Sequence, residues 1–241
     1  MRHPNIVEFS VVGDYALFSD PITRVGGEKC TYQIPTYEAL KGILSSVYWK
    51  PTIVWYIDKV RVMNPIRMEV KGIRTMKYNG GVDRSYYTYL KDCRYQVSAH
   101  FEWNENRPEL IGDRNENKHH EIAKRMIEKG GRRDIFLGTR ECQGYVEPCI
   151  FGDGEGAYDE TSLISFGHMY HGITYPDEAF SNETKGKMTL NFWYPEMRNG
   201  IIIFPKPQDC PNHKPLHEMK MKIFADNSGN FTGLREFGEV H

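Results

Sequence analysis

Apolar positions recur along this chain with two different periods. Residues 6–12 (IVEFSVV) mix β-branched and aromatic side chains and read as a first strand. A polar, Gly-rich stretch then runs to Lys29. Past Pro35, Thr36 can cap a helix, and Leu40, Ile43, Leu44 and Val47 follow at helical spacing. Pro51 disfavours helical geometry at the residue before it, so the helix stops there. Residues 52–63 (TIVWYIDKVRVM) predict a second strand. Residues 64–85, which hold Gly72 and the Asn79-Gly80-Gly81 turn signal, read as an irregular excursion, and residues 86–103 as a long strand. A second helix is expected over 115–129, with Ile122, Met126 and the flanking Ala123 toward a core. Gly130-Gly131 end it, and IFLGT from Ile135 begins another strand.

The order β-α-β-β-α-β predicts an α+β fold of the ferredoxin-like or RRM-like kind. After it come short apolar runs broken by Gly, Pro and Asn, which predict a small β-sheet domain with a polar tail beyond about residue 225. The acidic GDGEGAYDE at 152–160 is expected to form a hairpin loop. The expected division is therefore 1–142 and 143–241. Such a topology hosts many functions, so chemistry has to come from particular residues.

The net charge of −1 hides an asymmetry. Residues 1–140 hold 23 Lys and Arg against 17 Asp and Glu, a net of +6, while residues 141–241 hold 8 against 15, a net of −7. The first part is suited to a polyanion and the second is not. The five cysteines (Cys30, Cys93, Cys142, Cys149 and Cys210) are scattered, odd in number and form no C-x-x-C, which fits a reducing cytosol. The N-terminus carries acids from Glu8 onward without a long apolar run, so no secretory signal is expected. The apolar run Ile201–Phe204 falls far short of the roughly 20 residues of a membrane span. A cytoplasmic protein, with no membrane partner, is the expectation.

Residues 115–142 (NENKHHEIAKRMIEKGGRRDIFLGTREC) concentrate the candidate chemistry. Lys118, His119 and His120 fall in the first turn of the second helix, where unpaired backbone N–H groups and the helix dipole favour an anion. His119 sits on the apolar stripe, and its competing reading is a core histidine bonded to backbone. His120 points about 100° further round and reads as a solvated surface residue. Tyr48 ends the first helix, where packing is the commoner role, but in a ferredoxin-like domain both helices lie on one face of the sheet. The end of the first and the start of the second can then meet. Trp49 and Lys50 follow it. Arg132, Arg133 and Arg140 suit phosphate recognition, with a solvated turn as the alternative. Tyr86, Tyr87, Tyr89 and Tyr95 lack an RNP-like context and read mainly as packing. Cys210-x-x-His213-x-x-x-His217 and His168-x-x-His171 have ligand-like spacing but no evident fourth ligand, so no metal is expected.

Four motifs together carry a resemblance: GDYALFSDP at 13–21, PTYEALKGILSSVYWKP at 35–51, RNENKHHEIAKR at 114–125 and GGRRDIFLGTRECQGYV at 130–146. Over about residues 7–225 the chain resembles the Cas-five-d family of CRISPR-associated proteins, subtype I-C (formerly Dvulg). The resemblance implies a metal-independent endoribonuclease, without cofactor, that cuts precursor CRISPR RNA within the repeat, at the base of its stem-loop. It implies that the protein stays on the RNA's 5′ handle as a subunit of the type I-C interference complex. Double-stranded DNA is a further candidate partner. It also implies an RRM-like domain followed by a small β-sheet domain. The family's catalytic Tyr matches Tyr48, and its Lys-His pair matches Lys118 and His119. Lys50, Arg132, Arg133 and Arg140 are the candidate RNA-binding residues. The expected reaction is attack by the RNA's own 2′-OH, giving a 2′,3′-cyclic phosphate and a 5′-OH, with His119 moving the proton. The competing class is a non-catalytic scaffold that caps guide RNA.

Overall fold

The computed structural model describes residues 4–21 and 23–221. The polar tail expected beyond residue 225 lies outside them. The strands are β1 (Val7–Ala16), β2 (Ile53–Val62), β3 (Arg67–Met76), β4 (Val82–Trp103), β5 (Ile135–Phe136), β6 (Gln143–Pro148) and β7 (Ile164–Ser165). They continue with β8 (Met169–Thr174), β9 (Lys187–Trp193), β10 (Glu196–Arg198), β11 (Ile201–Ile203) and β12 (Asn212–Glu218). Among the described residues two α-helices, α1 (Tyr37–Val47) and α2 (Glu116–Glu128), accompany them with short 3₁₀ turns. The fold is α+β with antiparallel pairing throughout the named strands.

One sheet runs in the order β5-β6-β1-β4-β2-β11-β10-β7, with β3 paired to the far half of β4, and a second sheet has the order β12-β9-β8. The helices form where local chemistry allows. Thr36 Oγ1 accepts the Ala39 N–H at 3.1 Å, and Leu40, Ile43, Leu44 and Val47 of α1 are buried on the sheet. Each such side chain contributes about 1.5–3 kcal/mol by leaving water. They pack in one core with Phe9, Val11, Trp55, Ile57, Val97, Ala99 and Phe101. Asn115 caps α2 by accepting the Lys118 N–H at 3.0 Å. Gly130 and Gly131, at φ +79° and +105°, turn the chain out of it.

Several expectations are corrected. Residues 64–85 are regular: β3 and the outer half of β4 form a hairpin closed at Asn79-Gly80, with Arg67 opposite Lys91 and Met76 opposite Val82. Much of that hairpin projects past the core and lacks a buried face, so its outer part shows no hydrophobic alternation to read. On α2, Ala123 is buried as expected, together with His119 and Ile127, and Ile122 and Met126 pack half-buried against the core. The strand beginning at Ile135 is only two residues long, and it is β6 that pairs with β1. Hydrogen bonding continues across residue 142, since β6 joins β1 and β11 joins β2.

The acidic segment 152–160 is a connection rather than a hairpin. It wraps the buried Arg61, whose guanidinium donates to Asp159 Oδ2 at 2.6 Å and to the Gly154 carbonyl at 2.9 Å. A Cβ at Gly156 would meet Asp159 Oδ1 at 2.7 Å, so a larger residue there would have to shift that carboxylate. The second sheet is tied to α1 by buried polar contacts: Glu38 accepts the Ile173 N–H at 3.0 Å, and Lys41 pairs with Glu178. All five cysteines are free. No described helix is long and apolar enough to cross a membrane.

Candidate active site

The end of α1 and the start of α2 meet over the sheet. Tyr48 is the residue at which α1 leaves helical geometry, with φ −153° and ψ 128°. Its N–H still closes the last turn on the Leu44 carbonyl, and its own carbonyl accepts the indole N–H of buried Trp55 at 2.8 Å. The main chain on both sides of the phenol is therefore fixed by the core. The phenol oxygen lies 2.7 Å from His119 Nδ1.

His119 is completely buried, with Phe101, Trp103 and Tyr48 rings packed around it at centroid distances of 6.1, 5.7 and 6.0 Å. Its other nitrogen, Nε2, is 2.8 Å from the main-chain carbonyl of Asp113. A carbonyl can only accept, so Nε2 carries the hydrogen and, in the neutral ring, Nδ1 accepts from the Tyr48 hydroxyl. Tyr48, His119 and the Asp113 carbonyl thus form one polar chain through an apolar pocket.

Lys118 extends from the same turn of α2 into solvent and reaches back to Asp113 Oδ1 at 2.5 Å. The first turn of α2 is therefore not an empty anion cradle. Asn115 takes one of its N–H groups, and Asp113 supplies a carboxylate beside it. Asp113 Oδ2 accepts from Thr52 Oγ1 at 2.8 Å and lies 3.5 Å from His119 Nε2. The hydrogen bond from Lys118 holds the Asp113 carboxyl below its ordinary range, with help from Thr52 and the charges of His119 and Lys118. It stays ionised. Burial pushes the Tyr48 phenol above its ordinary value, and the Asp113 charge adds to that, against an opposing effect of Arg132. Near neutral pH the phenol keeps its proton.

The Gly-Gly-Arg-Arg turn docks on the end of α1. The N–H groups of Arg132 and Arg133 both reach the Ser46 carbonyl at 3.2 Å, while their side chains are exposed. Lys50, two residues past Tyr48, and Arg140, beyond β5, are also exposed. The structure thus gathers Tyr48, Lys118 and His119 and places the Arg132-Arg133 turn beside them. His120 departs from expectation: half-buried, it bonds to the Ile6 carbonyl at 2.9 Å through Nε2 and secures the start of β1.

Asp113 and Thr52 did not stand out in the sequence. Asp113 precedes the N-cap by two residues in an irregular turn, and Thr52 is an isolated hydroxyl at the start of β2. Only a carboxylate close upstream of a Lys-His pair could have drawn attention. Among the tyrosines, Tyr89 and Tyr95 are buried in the core, Tyr87 lies under Lys29, and Tyr86 is exposed on the hairpin. Three of the residues with ligand-like spacing are engaged by neighbouring side chains. His171 stacks on Tyr37, His168 on Phe192, and His213 bonds to Asn191 Oδ1 at 2.8 Å. Among the described residues no group of three or more His, Cys, Asp or Glu is placed to hold a metal ion.

Residues 6–205 match the Cas5d family, described as CRISPR-associated protein (Cas_Cas5). A relative from Mannheimia succiniciproducens, named CRISPR pre-crRNA endoribonuclease Cas5d, is 33% identical over 230 residues, spanning 83% of this chain and 95% of its own length. A relative of the same name from Thermus thermophilus is 28% identical over 219 residues, spanning 83% and 91%. Among solved structures, one described as a CRISPR-associated protein superposes with a TM-score of 0.73 at 34% identity, covering 87% of this chain and 96% of that one. A functionally uncharacterized protein from Streptococcus mutans gives 0.71 at 37% identity, with the same coverage.

Proposed function

The chain belongs to the Cas5d family of CRISPR-associated proteins, and from that premise we propose that it is an endoribonuclease that cuts precursor CRISPR RNA within the repeat. The cut falls at the base of the repeat's stem-loop. The protein then stays on the 5′ handle as a subunit of a type I-C interference complex in the cytoplasm. The observation that carries the catalytic reading is the 2.7 Å contact between Tyr48 and a His119 whose tautomer is set by the Asp113 carbonyl.

His119 is enclosed and Tyr48 is nearly so, so RNA would meet Lys118 first and reach the dyad through the Tyr48 hydroxyl. The upstream 2′-OH gives its proton to Tyr48 Oη as the Tyr48 proton passes to His119 Nδ1. The freed 2′-oxygen attacks the adjacent phosphorus, the bond from phosphorus to the 5′-oxygen breaks, and that oxygen takes a proton from water. A 2′,3′-cyclic phosphate and a 5′-OH result, and His119 later returns its proton to solvent. The Lys118 ammonium faces the charge that builds on the phosphoryl oxygens. A metal-independent route is supported by the donor set: the carboxylate nearest the dyad, Asp113, is already engaged by Lys118 and Thr52.

The order β6-β1-β4-β2 with α1 and α2 between strands fits the split βαβ pattern, and we read it as ferredoxin-like and RRM-like. All proposed catalytic and RNA-binding residues fall within 1–142, so the division at 142 is retained as a functional one, with 143–241 the β-rich part. Lys50, Arg132, Arg133 and Arg140 would carry the RNA backbone past Tyr48. The same cations would meet double-stranded DNA without cutting it, for lack of a 2′-OH.

The test is incubation of pure protein with its cognate repeat RNA in EDTA, beside a repeat with one 2′-deoxy nucleotide upstream of the cut. Cleavage in EDTA, a cyclic phosphate end and an uncut but bound deoxy repeat are expected. A 5′-phosphate product, or activity restored only by Mg²⁺, would overturn the mechanism. Binding without any cleavage would make the protein a scaffold.

A further inference from the structure

We propose that Asp113 is a positioning residue for this reaction, fixing the His119 ring through its main chain and supporting the charged ring through its carboxylate. The proposal rests on the reading of the Tyr48-His119 pair above. The two functions come from two parts of one residue at the end of the 3₁₀ turn Pro108–Asp113. The carbonyl holds Nε2–H at 2.8 Å, which leaves Nδ1 free to accept from Tyr48. The carboxylate stands 3.5 Å from the same Nε2, locked by Lys118 at 2.5 Å and Thr52 at 2.8 Å.

When the proton reaches Nδ1, the ring becomes an imidazolium inside an apolar pocket. The aromatic neighbours of the ring among the described residues, Tyr48, Phe101 and Trp103, are uncharged. The charges that act on Asp113 and Tyr48 include those of Lys118 on the same helix and of Arg132 in the turn beyond it, beside the Asp113 carboxylate itself. Of these, only Asp113 favours a positive ring. It accepts no proton and forms no covalent bond; it stays ionised through the cycle. Because Lys118 is half exposed and held on the solvent side of Asp113, an arriving phosphate can share its ammonium without displacing it from the site.

Asp113→Asn separates the two functions, since the main-chain carbonyl remains and only the charge goes. The readout is single-turnover cleavage by the full-length protein at saturating repeat RNA, from about pH 5 to about pH 8, where imidazoles titrate. Cleavage should slow roughly 10- to 100-fold, taking the cost of losing a hydrogen-bonded partner of a metal-bound imidazole as the scale. RNA affinity should be equal or tighter, because Lys118 is released. The acid limb of the rate profile should move to lower pH, since the ring loses the charge that favours its protonation. Asp113→Glu should recover part of the rate.

A purely structural role would lower the rate by one factor at every pH, in step with the folded fraction, and would overturn the proposal. So would a wild-type rate and profile. If Asp113→Asn does not fold, the near-isosteric Thr52→Val tests the same point by loosening the carboxylate, with the same shift to lower pH and a smaller slowing. An unchanged Thr52→Val profile would then count against the proposal. If the wild-type protein leaves the repeat uncut, the reading of the site itself fails; if it cuts and the variants behave as wild type, only the role of Asp113 does.

Discussion

His119 and His171 are buried to the same degree, neither exposing any surface, yet they sit in different chemistry. Each places Nε2 on a main-chain carbonyl, Asp113 at 2.8 Å and Pro205 at 3.0 Å. The difference lies at Nδ1. In His119 it meets the Tyr48 hydroxyl, with a carboxylate across the ring. In His171 it has no hydrogen-bond partner, and the ring is sandwiched by Tyr37, Trp193 and Phe204. Burial alone therefore says nothing about function. What a buried imidazole can do depends on whether a proton has somewhere to come from and a charge somewhere to be balanced.

The largest effect expected from this contrast is on cleavage. His119→Ala should slow single-turnover cutting by about 10²–10⁴-fold, the scale of general acid–base catalysis, with RNA affinity nearly unchanged. His171→Gln should leave the rate of the folded protein intact. His120→Ala serves as the control for a neighbour whose ring is tied to the Ile6 carbonyl. A large loss at His120 or His171, with His119 dispensable, would break the comparison.

The second effect is on stability and belongs to His171. Desolvation, with the charge of Lys41 adding to it, pushes this ring down to about 3 in the folded state. An unfolded histidine titrates near 6.5. Between those values the unfolded chain binds the extra proton, so His171 favours folding fully above about pH 6.5 and progressively less as the pH falls toward 3. The slope approaches about 1.4 kcal/mol per pH unit within that window. Denaturant melts of wild type and His171→Gln between these limits should converge as the pH falls. Parallel curves would show that His171 is not held neutral by its site.

The third effect is smaller and sharpens the same contrast, since only the His119 side of the molecule is expected to meet a polyanion. Replacing Arg132 and Arg133 together by Ala should weaken RNA binding and flatten the slope of log K against log salt by about 2, roughly one per cation. The main-chain bonds from both residues to Ser46 would remain, so α1 should keep its end. An unchanged slope would put the RNA path elsewhere.

The sequence by itself determined what short-range chemistry controls. Thr36 and Asn115 announce the two helix starts, Gly130-Gly131 one helix end, and the β-branched runs β1, β2 and the inner half of β4, because caps, turns and periodicity act within a few residues. The motifs around Tyr48 and Lys118-His119 were legible for the same reason: each lies within one contiguous stretch. The tertiary structure alone decided what joins distant stretches. The hairpin of β3 and outer β4 is held by backbone bonds and one turn, with much of it past any buried face that would imprint a pattern. That β11 closes on β2, some 140 residues earlier, follows from which sheet edge remains open after the first strands have paired. The arrival of Asp113 and Thr52 at the His119 ring and at Lys118 depends on how two helices and a 3₁₀ turn settle on one sheet. Contacts of that kind are set by packing between elements, and no local period in the sequence records them.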